Sequence, residues 1–200
     1  EMHSKKSQGF RTKTSQAFQK CTNGILLTSD VSARGVDYPD VTHVIQFGLP
    51  ESRKQYIHRL GRTGRAGKEG CGLLVLFPFE SRFVQKELRG LKLIRNEEIE
   101  KQLLGPSTNY DDRKVDLPVD GKSIITAQQA YIAFLGYYVD QINRTNIKSK
   151  QELVQIANEM AVHVFGLQHI PPLNEQMVAK MRLKDVQGIV LEEDNTISTT

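Results

Sequence analysis

Only two cysteines, Cys21 and Cys71, occur in 200 residues, and neither has a second Cys or a His at ligand spacing. Neither a disulfide framework nor a zinc site is indicated, and a reducing intracellular compartment is expected. His163 and His169 form no ligand pattern either. No apolar run approaches the roughly 18 residues of a membrane span. Nor does a succession of charged, apolar and small-residue regions open the chain as in a secretory signal. The expectation is a soluble protein with no membrane partner. Internal repeats are absent too, which excludes a repeat array. The sequence opens on Glu1 inside a polar loop and helix start, and so reads as a piece of a longer protein.

What is present is modestly basic: 27 Lys and Arg against 23 Asp and Glu, a net charge of +4. That balance suits a polyanionic partner without demanding one. The length allows one large core, or a domain of about 100 residues with an appendage. Three short apolar runs, 24–28, 41–47 and 72–77, alternate with helix-compatible stretches. This alternation predicts buried parallel strands of an α/β sheet. A helix is predicted from Gln8 to Lys20, with Phe10, Ala17 and Phe18 toward a core, and another from Glu80 to Leu88 on Phe83, Val84 and Leu88.

After Leu104, breaker residues such as Gly105, Pro106 and Pro118 appear without periodicity, which places a linker at 105–118. Three helices are predicted beyond it: Thr126 to Ile142, Ser149 to about Val164, and Asn174 through Met181, with Thr126, Ser149 and Asn174 as N-caps. The expected division is an α/β domain at 1–104, the linker, an all-helical extension at 119–190 and a frayed tail at 191–200.

Two segments carry chemistry. In Tyr56-Ile57-His58-Arg59-Leu60-Gly61-Arg62-Thr63-Gly64-Arg65, a helical reading puts His58, Arg62 and Arg65 at i, i+4 and i+7 on one face. Gly61 and Gly64 would each cost a helix about 1 kcal/mol relative to alanine. They therefore mark a place where backbone or ligand comes very close. The second segment, Ser29 to Asp37, follows the first predicted strand, where open α/β sheets place ligand loops. Alone it reads as a polar loop. Paired with the arginine segment on the same sheet edge, it offers ribose acceptors and phosphate donors.

On these residues the chain resembles the DEAD-box RNA helicases, whose motifs V and VI lie in the second of two RecA-like domains. Gln8-Gly9-Phe10-Arg11 resembles that family's QxxR motif, and Gln46-Phe47-Gly48-Leu49-Pro50 its strand and loop between motifs V and VI. His58 stands where DEAH-type helicases usually carry glutamine. The resemblance implies a RecA-like parallel sheet flanked by helices over 1–104, incomplete at its N-terminus. It implies that Arg62 and Arg65 would reach the γ-phosphate of ATP on a partner domain, with Arg65 as arginine finger. Asp37 would accept from the ribose hydroxyl, while Arg34, Gly35 and His58 would couple to the partner domain's acidic motif. Gln8, Arg11 and Ser29 would contact the RNA backbone without reading sequence. Lys5, Lys6, Lys13 and Lys20 either extend that track or are simply solvated.

Two departures stand out: Ser29 replaces the family's usual threonine, and Gly48 a frequent aspartate. A Walker A loop, an Asp-Glu-Ala-Asp box, the adenine-sensing motif and the opening strand are all absent. ATP and Mg²⁺ would thus be held mainly by the first RecA-like domain of the same protein, and the isolated chain is expected to be inactive. The helical tail, with Pro171-Pro172 and Lys184-Asp185-Val186-Gln187-Gly188-Ile189, resembles that of fungal mitochondrial intron-splicing DEAD-box RNA chaperones. That resemblance leans toward mitochondria, with nucleolar and cytoplasmic settings open. In the tail, Arg144, Lys148, Lys150, Lys180, Arg182 and Lys184 would reach further RNA. Tyr131, Phe134, Tyr137 and Tyr138 either stack bases or, the favoured reading, form a core. The expected function is half of a monomeric ATP-dependent helicase that locally unwinds or remodels RNA duplexes. The alternative is a non-catalytic RNA clamp.

Overall fold

A computed structural model describes residues 1–32, 38, 40–104 and 121–192. They fall into two units, Glu1–Gly90 and Leu91–Thr200. The first unit is built on a β-α-β core: β1 (His43–Phe47), α2 (Arg53–Leu60) and β2 (Cys71–Val75), preceded by α1 (Gln8–Gln19) and followed by α3 (Ser81–Lys86). β1 and β2 pair in parallel, from His43 opposite Cys71 to Phe47 opposite Val75. The α/β class expected from the alternating runs is the one observed.

The expected third strand does not form a ladder. Residues 24–28 contribute a single parallel bridge, Thr28 to Met2, made by Met2 N–H to Leu27 O (2.8 Å) and Ser29 N–H to Met2 O (3.1 Å). With no longer partner edge among the described residues, Ile25 and Leu27 stay 91% and 70% exposed. Among the described residues the sheet is also covered on one face only. Val44 and Gln46 turn inward, Gln46 donating through Nε2 to Tyr56 O of α2 at 3.2 Å, whereas Ile45 and Phe47 are exposed. The strands are therefore half-buried where full burial was expected.

α1 also departs from expectation. Phe18 packs edge-on against Tyr38 (5.3 Å between ring centroids), and Ser15 and Tyr38 share a 3.1 Å hydroxyl hydrogen bond. Phe10 and Ala17 are exposed. The loops after the two strands are stapled by Glu80, a fully buried carboxylate that accepts Leu49 N–H (3.1 Å) on one oxygen and Phe77 N–H (2.7 Å) on the other. A buried carboxylate is tolerated only when its lone pairs are met in this way.

In the second unit, α4 (Glu97–Leu104) lies where no helix was expected, opened by Asn96, whose Oδ1 accepts Ile99 N–H at 3.0 Å. α5 (Gly121–Gln141) packs on α6 (Lys150–His163), and α7 (Glu175–Lys180) follows. Tyr131, Phe134, Leu135 and Tyr138 of α5 are buried, as are Leu153, Val154, Ala157 and Ala161 of α6. Three of the four aromatics belong to the core, and Tyr137 is 41% exposed. Ser149 and Asn174 cap as expected, accepting Glu152 N–H and Met177 N–H at 3.1 and 2.8 Å. Thr126 does not cap: α5 begins at Gly121, and Thr126 Oγ1 donates back to Lys122 O at 2.9 Å. The expected linker at 105–118 and most of the expected tail at 191–200 lie outside the described residues. Among the described residues no helix is long and apolar enough to cross a membrane.

Candidate functional site

The arginine segment is not one helical face. α2 stops at Leu60, where Gly61 N–H closes the last turn on Ile57 O, so Arg62 and Arg65 lie in the turn that follows. Two forces end the helix. Glycines at 61 and 64 disfavour its continuation, and the buried Thr63 is held sideways, its hydroxyl donating to Val41 O (2.5 Å) and Thr42 O (3.0 Å) just ahead of β1. Gly64 takes a left-handed backbone (φ +64°) and packs so closely on Gly70 that a Cβ at Gly70 would overlap Gly64 N and Thr63 Oγ1. The close approach expected at these glycines is thus one of backbone on backbone. Ala66 is also left-handed (φ +54°), a conformation that costs a non-glycine residue some strain.

The turn nevertheless gathers the three predicted side chains at the C-terminal end of α2. Arg62 Nε donates to His58 O at 3.3 Å and Arg65 Nε to Gly61 O at 2.6 Å. Each guanidinium is anchored on a carbonyl four residues back, where the helix dipole favours positive charge. His58 is half-buried, and its Nδ1 is buried with no hydrogen-bond partner among the described residues. A buried ring nitrogen is costly to leave unmet, so this group calls for a partner, be it water or another group.

Of the second segment, Ser29 and the turn Asp30–Ser32 are described, while Arg34, Gly35 and Asp37 lie outside the described residues. Ser29 is exposed, and its N–H donates to Met2 O at 3.1 Å. Gln8 opens α1 and is exposed; Arg11 is half-buried, with its Nε buried and unpaired among the described residues.

Sequence reasoning missed the contact that binds these segments together. Asp30 accepts from Arg59 Nε and Nη2 at 2.5 and 2.8 Å and from Gln55 Nε2 at 2.7 Å. Gln55 and Arg59 lie one turn apart on α2, a spacing that could have pointed to a shared partner. Beneath them Tyr56 is buried, and that burial pushes its phenol above the usual tyrosine range.

Residues 1–67 match the helicase conserved C-terminal domain. The chain is 44% identical over 189 residues to DEAD-box ATP-dependent RNA helicase 25 of Arabidopsis thaliana, covering 94% of this chain and 32% of that protein. Over nearly its whole length the chain is thus similar to DEAD-box RNA helicases. A mitochondrial member, the ATP-dependent RNA helicase mss116 of Aspergillus oryzae, is 36% identical over 199 residues, 99% of this chain and 31% of its own. The chain spans about a third of the length of these DEAD-box relatives. Among solved structures, domain 2 of the Mss116p DEAD-box helicase bound to an RNA duplex matches with a TM-score of 0.64 at 25% identity, covering 95% of this chain and 73% of that one. Mss116p bound to single-stranded RNA and AMP-PNP matches at 0.57 and 27%, covering 96% and 37%. The α/β unit followed by helices is therefore the architecture of a DEAD-box second domain, and the likeness runs past the matched 67 residues into the helical part.

Proposed function

We propose that this chain is the C-terminal half of an ATP-dependent RNA helicase, which remodels RNA duplexes when a first RecA-like domain closes on it around nucleotide. The observation that carries this reading is the turn after α2, which holds two guanidiniums by their Nε groups beside an unmet His58 Nδ1. Such a set suits a polyphosphate: guanidinium is permanently charged and its fork matches planar oxyanions. Arg65 acts as arginine finger, stabilising charge on the transferring phosphoryl oxygens, with Arg62 beside it. His58, Arg34 and Gly35 couple closure to the partner domain, and Asp37 holds the ribose. Gln8, Arg11 and Ser29 grip the RNA backbone, so binding is independent of sequence and weakened by salt. Mg²⁺, held mainly by the first RecA-like domain, would neutralise phosphate charge.

The test is RNA-stimulated ATP hydrolysis by the isolated chain and by the full-length protein. Turnover is expected only from the latter. Hydrolysis by the isolated chain would refute a split site, and RNA binding with no turnover by the full-length protein would favour a non-catalytic clamp.

A further inference from the structure

We propose that Asp30, clamped by Arg59 and Gln55, is a positioning residue that couples RNA contact at Ser29 to the placement of His58, Arg62 and Arg65. This rests on the function proposed above. Ser29 and Asp30 are consecutive, and Ser29 is tethered on its N–H side by the 3.1 Å bond to Met2 O. A displacement at Ser29 is thus handed on to Asp30. Both Asp30 oxygens are engaged by the Arg59 fork, and one also accepts from Gln55. Three donors from two positions one turn apart define the rotation of α2 as well as its distance, which a single-point ion pair does not.

From Arg59 the connection to the site is short. His58 is its neighbour in α2, His58 O anchors Arg62, and Gly61 O, at the end of the same helix, anchors Arg65. A rotation of α2 about Arg59 therefore moves all three groups together. The Arg59 and Asp30 side chains are 23% and 45% exposed, so the clamp also contributes to folding, and the melting temperature separates that contribution from the coupling.

The experiment measures ATP hydrolysis by the full-length protein with and without oligouridylate RNA, for Asp30→Asn, Arg59→Gln and the double variant. RNA-stimulated kcat is expected to fall about tenfold in each single variant. RNA-free hydrolysis, KM for ATP and the melting temperature should change less than about twofold or a few degrees. The double variant should be no worse than either single, since both remove one interaction. The milder Gln55→Ala should give a smaller loss of the same kind, and it keeps the coupling testable if a charge variant fails to fold. Unchanged RNA stimulation would overturn the proposal. So would a proportional loss with and without RNA, or additive effects. A wild-type protein lacking RNA stimulation would overturn the proposed function and this coupling together, whereas stimulated wild type with unaffected variants would overturn the coupling alone.

Discussion

Arg65 is a guanidinium whose direction is set before any ligand arrives, by the 2.6 Å bond from its Nε to Gly61 O and by left-handed neighbours on both sides. Preorganised charge is worth most where charge develops in a transition state. Arg65→Ala in the full-length protein is therefore expected to lower RNA-stimulated kcat by about 10³-fold or more, while RNA affinity by fluorescence anisotropy stays nearly intact. Wild-type turnover in that variant would remove the finger assignment. That His58, Arg62 and Arg65 lie together in one short segment was readable because that pattern is local. Arg59 was passed over because its partner Asp30 is 29 positions away, and no periodicity links residues across that distance. Glu80 was overlooked for a similar reason: it reads as a helix-opening carboxylate until Leu49 and Phe77 are seen to donate to it.

Among the secondary-structure elements, those whose signals are local formed as expected. Ser149 and Asn174 cap because a short side-chain oxygen meets a helix N–H three residues on. Thr126 offers the same oxygen, but α5 had already begun and the hydroxyl turned back to a carbonyl. The pairing of α5 with α6 is secured by Tyr131, whose hydroxyl donates to Asn158 Oδ1 at 2.8 Å. Burial pushes this phenol from the ordinary 10.0 up to about 12. Below pH 10 both folded and unfolded chains keep the proton, and the contribution to stability is complete. Between 10 and about 12 the unfolded chain ionises first, so stability falls by up to about 1.4 kcal/mol per pH unit. The unfolding free energy of the chain minus that of its Tyr131→Phe variant, from urea titrations, should decline over that interval. A difference independent of pH would show that the phenol is not held neutral by the fold.

For the whole molecule, the second unit presents Lys148, Lys180, Arg182 and Lys184 to solvent, while Tyr131, Phe134 and Tyr138 are buried and Tyr137 is 41% exposed. RNA contacts from this unit would therefore be mainly electrostatic. Removing residues 91–200 from the full-length protein is expected to weaken binding to structured RNA more than to a short single strand, and to reduce the dependence of affinity on salt. Equal losses on both RNAs with an unchanged salt slope would assign the unit a purely structural part.

The sequence by itself determined the family resemblance, the βαβ order of the first unit, the helical character of the second and the residues of the arginine turn. These are written in short-range spacing, where a motif or cap lies within a few residues of its partner. Only the tertiary structure decided that α2 stops before its arginines, that residues 24–28 make a single bridge and not a ladder, and that Asp30 is the point where two segments meet. Each depends on long-range partners: Thr63 on the carbonyls ahead of β1, Thr28 on Met2, Asp30 on Arg59 and Gln55. Such pairings become favourable only once the chain has closed loops of some twenty to thirty residues, and a linear pattern does not record which closures occur.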